Sequence, residues 1–172
     1  ISITGSSEDD LPFFEKVVHP LLKKYRGKDT KIKFKSSCKA IDFNFTDYKL
    51  FDRLNKIGFP IGLKGANIII PEIFYEKNLL KYIVQGFMAT DGCLVLTRNP
   101  NKFYPRIESK TISKQLMLQI TNYLNKIGLK GKFYDCKSKP NPKWKNPQRA
   151  YRFQFNGKDN LKLWMKKIGF NS

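Results

Sequence analysis

The chain has 172 residues, enough for one domain or two small ones, and its 41% hydrophobic content with 14 Phe and 8 Tyr is typical of a folded globular protein. Its 33 Lys and Arg outnumber 14 Asp and Glu, so a formal net charge of +19 indicates a polyanionic partner, most often nucleic acid. No apolar run approaches the ~20 residues of a membrane span, so no membrane partner is expected. The three cysteines are far apart and lack CxxC spacing, which argues against a zinc site and indicates an intracellular protein, cytoplasmic or organellar.

The first part of the chain alternates between patterns typical of strands and of helices. Pro20 is expected to kink or divide a helix, and Ile32 and Phe34 are expected to face inward from a lysine-rich strand. The predicted elements are a strand at Ile1–Thr4, a helix over about 11–25, strands at Lys31–Lys35 and Ile41–Phe45, and a helix over about 48–57.

The stretch Leu79–Gly92, LLKYIVQGFMATDG, is apolar almost all round. As a helix it is therefore expected to be buried on more than one side. Small residues at roughly helical spacing make one of its faces narrow enough for another backbone to approach closely. These residues are Gly86, Ala89 and Cys93.

Asp91 ends this predicted helix and precedes Gly92, and glycine is the residue most often found just past a helix C-terminus. A carboxylate at this position lies against the negative end of the helix dipole, which costs roughly 0.3–1 kcal/mol. Asp91 therefore needs a compensating partner. A divalent cation would take its carboxylate and a helix-terminal carbonyl, such as that of Thr90, as oxygen ligands.

The same order of elements recurs after Gly92. The predicted elements are strands over 94–98 and 104–109, a helix over about 113–127, strands at Gly131–Lys137 and Ala150–Phe155, and a helix over about 158–168. Ile41–Phe45 aligns with Tyr151–Phe155, and Asn55–Phe59 aligns with Lys166–Phe170, with apolar and polar positions matched. Each half is thus predicted to be strand–helix–strand–strand–helix, and the second half adds a helix and a strand at its start.

The nonamer Val84–Gly92, VQGFMATDG, resembles the LAGLIDADG motif of homing endonucleases, with Gln85 and Thr90 as departures from it. The order helix–strand–strand–helix–strand–strand–helix likewise resembles the LAGLIDADG half-domain, so the resemblance covers essentially the whole chain. It implies an α+β fold of two pseudo-repeated αββαββα halves, residues 1–76 and 77–172, whose antiparallel sheets form a DNA-binding saddle. Because the first half lacks its motif helix and first strand, a second motif helix is expected from a missing segment before Ile1 or from a dimer mate.

The resemblance also implies an activity, namely site-specific cleavage of both strands of DNA with Mg²⁺ or Mn²⁺. Asp91 is then the catalytic acid and, with Thr90, a metal ligand, while the terminal acid of a second motif helix serves the other DNA strand. Lys64 lies where many family members carry a lysine that polarises the attacking water. Such enzymes are encoded in introns or inteins, or are free-standing.

A long, specific double-stranded DNA target is expected to lie on the polar face of the sheets, opposite the apolar side chains. The competing interpretation is an ordinary solvated face, which the selective gathering of lysine disfavours. The predicted DNA-binding residues are Lys31, Lys33, Lys35, Arg98, Tyr104, Arg106, Lys132, Tyr134, Lys137, Arg149, Arg152 and Gln154.

Two other functions stay open at this point. The same fold would serve without catalysis as an RNA-splicing maturase, whose partner is intron RNA, or as a DNA-binding regulator. A generic basic α+β protein with an accidental motif is the third interpretation, and it leaves the internal repeat unexplained.

Overall fold

A computed structural model describes residues 1–35, 38–62, 65–99, 102–137 and 149–170. The chain forms two compact units, Ile1–Leu54 and Asn55–Asn171. Both units combine helices with antiparallel strands, which confirms the predicted α+β class. Within the described ranges, no helix has both the length and the apolar character needed to cross a membrane. The division into halves 1–76 and 77–172 concerns the sequence repeat and stays a prediction.

The first unit contains one antiparallel sheet and the helices that accompany it. The strands are β1 (Ser2–Ser6), β2 (Lys33–Lys35) and β3 (Ala40–Asn44), and the helices are α1 (Leu11–Phe13), α2 (His19–Arg26) and α3 (Tyr48–Lys56). The sheet order is β1-β3-β2, so β3 is the central strand. The observed order strand–helix–strand–strand–helix is the predicted one.

The helical segment before β2 changes its hydrogen-bond pattern close to Pro20. A π-helical turn at Phe14–Val18 separates α1 from α2, and Pro20 occupies the first turn of α2. Proline cannot donate a backbone hydrogen bond, and the π-helical turn lies just before it. The helix is continuous through Pro20, so a division is not observed and a kink stays a prediction. Phe14 and Leu22 then pack with Phe43 of β3 in the core of the unit.

The prediction that Phe34 faces inward is wrong, because its side chain is 65% exposed. Phe34 lies in β2, which has only three residues and pairs with β3 alone among the described strands. The core cluster is centred on β3, and Phe34 lies outside it, whereas Ile32 does pack against the cluster. Alternation therefore predicted the strand, but it could not show how far the helices cover it.

The four strands predicted for the second unit form one antiparallel sheet. Its strands are β4 (Gly92–Asn99), β5 (Lys102–Thr111), β6 (Gly131–Lys137) and β7 (Arg149–Asn156), and its α-helices are α4 (Ile73–Glu76), α5 (Leu80–Asp91), α6 (Lys114–Lys126) and α7 (Lys158–Lys167). The sheet order is β4-β5-β7-β6. A short 3₁₀ turn at Gly65–Asn67 precedes α4. From α5 onward the order is helix–strand–strand–helix–strand–strand–helix, as predicted.

One hydrophobic core joins the sheet and the helices of the second unit. Val84 of α5, Ile120 of α6, Phe153 of β7 and Trp164 of α7 are all fully buried in it. Helix α5 is therefore anchored to its sheet by apolar packing, which is the main source of helix stability in a folded protein.

Helix α5 is nevertheless buried on one side only, which differs from the prediction. Leu80, Val84 and Met88 are buried, whereas Tyr82 is 62% exposed. A Cβ added at Gly86 would meet no atom within 4 Å among the described residues. The second apolar side of the helix thus has no covering element in the part of the chain that is described.

The internal repeat is visible in the sheet topology. The order β1-β3-β2 of the first unit is the same as the order β5-β7-β6 of the second, with a helix after the first strand and after the last strand in each case. The second unit additionally carries α5 and β4 at its start. This correspondence supports the repeat that the matched segments predicted.

Candidate metal site and nucleic-acid interface

Helix α5 ends at Asp91, and the chain passes directly into β4. Gly92 is extended, with φ −102° and ψ 161°, so it does not form the left-handed turn common after helices. Packing, and not a left-handed backbone conformation, requires glycine at position 92. An added Cβ would lie 2.8 Å from Cα of Met88 and 2.4 Å from its Sδ. The backbone after Asp91 therefore passes into β4 in close contact with Met88.

Two hydrogen bonds hold the oxygens of Asp91. The exposed carboxylate accepts a bond of 2.8 Å at Oδ2 from Oγ1 of Thr90. The backbone carbonyl accepts a bond of 2.7 Å from Oγ of Ser109, which is 3% exposed and lies opposite Gly92 in the β4–β5 pair. Ser109 was missed in the sequence, because only the strand register shows that it faces the end of α5.

The donor set at this helix end fits a hard divalent cation. Mg²⁺ is usually held by one or two carboxylates and completes its coordination with water and phosphate oxygens, and the Asp91 carboxylate is accessible. Across the described ranges, no group of three or more His, Cys, Asp and Glu side chains could hold a metal ion. A metal at Asp91 would thus need further oxygen ligands from water, from a substrate phosphate, or from a second acid.

The register of the second sheet brings six of the predicted DNA-binding residues to one face. Glu108 of β5, Gln154 of β7 and Lys132 of β6 are consecutive partners across the sheet, with Lys110, Arg152 and Tyr134 as the next row. Side chains two residues apart share a face. The predicted residues on this face are Tyr104, Arg106, Lys132, Tyr134, Arg152 and Gln154.

Glu108 organises the centre of this face, although it was not among the predicted residues. Its Oε2 accepts a bond of 2.7 Å from Nε2 of Gln154 and lies 3.7 Å from Nη1 of Arg106. Arg106 also donates from Nε to Oδ1 of Asn156 at 3.0 Å. Burial, together with the Glu108 charge, raises the pKa of the neighbouring Cys93 thiol. The alternation of Arg106 and Glu108 along β5 is the sequence signal that could have identified the acid.

Aromatic side chains restrain other polar groups of the sheet. The guanidinium of Arg152 lies 5.5 Å from the ring centroid of Tyr134, within the range of a cation–π contact. The hydroxyl of Tyr104 lies beside Gly157, where an added Cβ would be 2.9 Å from it.

Arg98 lies on the side of the sheet opposite Arg106. It pairs with Phe103 in the register and follows Leu94 and Leu96 at two-residue spacing.

The first unit places its lysines on and beside β2. Nζ of Lys35 lies 2.9 Å from Oδ2 of the buried Asp42, while Lys33 pairs with Asp42 in the register and Lys31 is exposed just before the strand. The hydrogen bond from Lys35, assisted by one from Asn44, holds the pKa of Asp42 below its usual range despite burial. Lys35 therefore has an internal partner.

The structure describes one predicted residue not at all and another only by its backbone. Lys64 lies outside the described residues, and of Lys137 only the backbone, at the end of β6, is described. Arg149 is exposed at the start of β7. The catalytic role of Lys64 and the contacts of Lys137 and Arg149 with DNA stay predictions.

The motif helix, its terminal acid and the sheet order correspond to a known domain. A family model for the LAGLIDADG-like domain matches residues 78–169, more than half of the chain. No curated protein sequence matches the chain.

Three solved structures of the homing endonuclease I-DmoI share the fold over nearly the whole chain. The complex of I-DmoI with DNA and Mn superimposes with a TM-score of 0.60 at 13% identity, covering 100% of this chain and 81% of that one. Mesophilic variants of I-DmoI give 0.59 at 12% identity, covering 98% and 73%. An I-DmoI variant with nicked target DNA and Mn gives 0.54 at 14% identity, covering 98% and 79%. With the family model matching from just before α5 through α7, the chain belongs to the LAGLIDADG family.

Proposed function

We propose that this protein is a site-specific, double-strand DNA endonuclease of the homing class that cleaves phosphodiester bonds with Mg²⁺ or Mn²⁺. The observation that carries the proposal is the exposed carboxylate of Asp91. Asp91 ends the motif helix next to the β4–β5 pair, and β5 contributes side chains to the polar face of the second sheet. The shared fold of I-DmoI, whose own structures contain DNA and Mn, supports the same class of substrate and ion here.

A bound divalent ion would supply a nucleophilic water and neutralise charge on the scissile phosphate. Asp91 would hold it through its carboxylate and Thr90 through its backbone carbonyl. The 2.8 Å hydrogen bond from the Thr90 hydroxyl orients the Asp91 carboxylate. Ser109 keeps the backbone of the acid in place. Lys64 is proposed to polarise the attacking water.

The polar face of the second sheet would bind the DNA. An antiparallel sheet fits the major groove, where Arg recognises guanine and Gln recognises adenine through paired hydrogen bonds. Arg106 and Arg152 would contact base edges, and the exposed Lys132 would neutralise phosphate. Gln154 is 9% exposed and donates to Glu108, so it would reach a base only by exchanging that bond. Lys31 and Lys33 of the first unit would add further phosphate contacts.

A second motif helix is proposed to cover the exposed side of α5. Tyr82 is 62% exposed there and Gly86 is open to close approach, while Leu94 and Leu96 of the adjoining strand are 42% and 57% exposed. Apolar surface of this kind marks an interaction site more often than an isolated exposed side chain does. The helix would come from a segment preceding Ile1 or from a dimer mate, and its terminal acid would serve the other DNA strand.

Cleavage of a DNA library of mixed sequence tests the proposal. The protein is incubated with the library in Mg²⁺ and in Mn²⁺, and all new DNA ends are sequenced. Staggered ends that recur at one long sequence support the endonuclease. Incubation with EDTA is the control and should yield none.

Binding measurements on duplex DNA and on a folded intron RNA separate the two non-catalytic alternatives. Retention of specific duplexes without new ends would indicate a DNA-binding regulator. Tighter binding to a folded intron RNA than to duplex DNA would indicate a maturase.

A further inference from the structure

The first unit contains a pocket that none of the predicted DNA contacts uses. It lies between the end of α2 and the start of α3, has a volume of about 330 Å³, and is lined by Tyr25, Arg26, Asp47, Lys49 and Arg53. Small-molecule sites in proteins span about 300–1,000 Å³, so this pocket has the size for a compact ligand.

The pocket carries an excess of positive charge. Three of its lining side chains are cationic and only Asp47 is acidic. Oδ1 of Asp47 accepts a bond of 2.9 Å from the backbone N–H of Leu50, which caps the first turn of α3. One oxygen of the carboxylate is thus bound to its own helix, and the cations Lys49 and Arg53 of that helix line the same pocket.

Arg26 is held in place with part of its hydrogen-bonding capacity unused. Its Nη1 donates to Oγ1 of Thr30, and its guanidinium lies 4.4 Å from the ring centroid of Phe45. Its Nε is buried and has no hydrogen-bond partner among the described residues. An anion in the pocket would therefore meet the outer edge of the guanidinium, whose position Thr30 and Phe45 fix, and not the buried Nε.

Tyr25 adds an aromatic surface to the cationic group. Its side chain is 46% exposed at the pocket, one residue before Arg26. Planar guanidinium groups match phosphate oxygens in pairs, and an exposed aromatic ring stacks on any nucleobase.

We propose that this pocket binds a mononucleotide-sized ligand, with the phosphate on Arg26, Lys49 and Arg53 and the base on Tyr25. The proposal goes beyond the endonuclease activity and does not depend on it, because all five lining residues lie in the first unit and none is a predicted catalytic or DNA-binding residue.

The test is isothermal titration of the full chain with AMP, adenosine and inorganic phosphate, in EDTA to exclude metal-dependent binding. AMP is expected to bind more tightly than either fragment, because only AMP offers both the phosphate and the base. Arg53→Gln should weaken AMP binding at least about tenfold, the loss expected for one charge-assisted hydrogen bond. Lys24→Gln is the matched control, since Lys24 is an exposed cation of α2 outside the pocket lining. The affinity of this variant for AMP should equal that of the wild type.

Lys49→Gln serves as a second variant if Arg53→Gln fails to fold by circular dichroism. AMP binding that is equal in the wild type and in both pocket variants would overturn the proposal, as would AMP binding no tighter than phosphate or no AMP binding at millimolar concentration. Cleavage of DNA should be unchanged in Arg53→Gln, so failure of the pocket and failure of the endonuclease are distinguished.

Discussion

The hydroxyl of Ser109 donates a 2.7 Å hydrogen bond to the carbonyl oxygen of Asp91, the residue that ends the motif helix. The last carbonyls of a helix have no intrahelical hydrogen-bond donor, and here the buried Ser109 of β5 supplies a donor for one of them. This hydrogen bond fixes Asp91 relative to β5. The alternate residues of the same strand, including Arg106 and Glu108, lie on the polar face.

Ser109→Ala removes this bond and leaves the Asp91 carbonyl without it. The free energy of unfolding should fall by about 1 kcal/mol, the typical net value of a hydrogen bond. Urea denaturation measures the change, with Ser2→Ala, at an exposed position of β1, as the control. If both variants have the wild-type unfolding midpoint, the hydrogen bond does not stabilise the helix end.

Gly92 and Gly86 should respond to alanine in opposite ways. Gly92→Ala should destabilise the fold by about 1–3 kcal/mol, because its Cβ would collide with the backbone and sulfur of Met88. Gly86→Ala should stabilise α5 by about 0.5–1 kcal/mol, because its Cβ enters open space in a helix interior.

Thermal unfolding measures both variants, and cleavage distinguishes their causes. If a second motif helix packs at Gly86, the Gly86→Ala variant should lose cleavage although it is more stable. A Gly86→Ala variant with full cleavage would argue against that helix contact.

The Lys35–Asp42 ion pair should make the first unit sensitive to acid. The pKa of Asp42 is lowered in the folded state, so its contribution to stability is fully present above the ordinary value of 3.8 and is lost as pH falls through the folded-state value. Lys35→Met removes the main cause of the shift. The variant should be less stable than the wild type at neutral pH, and the difference should shrink below pH 3.8. Urea denaturation across this range checks it, with Lys31→Met as the control, and a constant difference would contradict the assignment.

Lys132 should contribute to DNA binding through phosphate alone. Lys132→Gln should weaken binding to all duplexes alike and reduce the slope of log K against log salt by about 0.9, the value for one lost phosphate contact. Fluorescence anisotropy at several salt concentrations measures the slope. Lys166 is an exposed lysine on α7, and Lys166→Gln should leave this slope unchanged. If the two variants have the same slope, Lys132 does not contact a phosphate.

Local patterns predicted most of the fold. The alternation of polar and apolar residues located β5 and β7, the 3.6-residue period located α6 and α7, and the motif located the end of α5 within a residue. These elements depend on nearest neighbours along the chain, which a sequence shows directly.

Contacts between distant segments could not be predicted in the same way. The bonds from Ser109 to Asp91 and from Gln154 to Glu108 depend on the register between strands. A shift of one residue in that register would turn each side chain to the other face. The exposure of Phe34 depends on which strands the helices cover, and the sequence period contains no information about that.

The central claim is that the Asp91 carboxylate holds the ion that cleaves DNA, and replacing Asp91 tests it most directly. Asp91→Asn keeps the size of the side chain and removes its charge, while Asp159→Asn makes the same change at an exposed acid of α7. Both variants are measured for DNA binding and for new DNA ends in Mg²⁺ and Mn²⁺. Wild-type cleavage that persists in Asp159→Asn and disappears in Asp91→Asn, with binding retained in both, is the predicted result. Undiminished cleavage by Asp91→Asn would contradict the account.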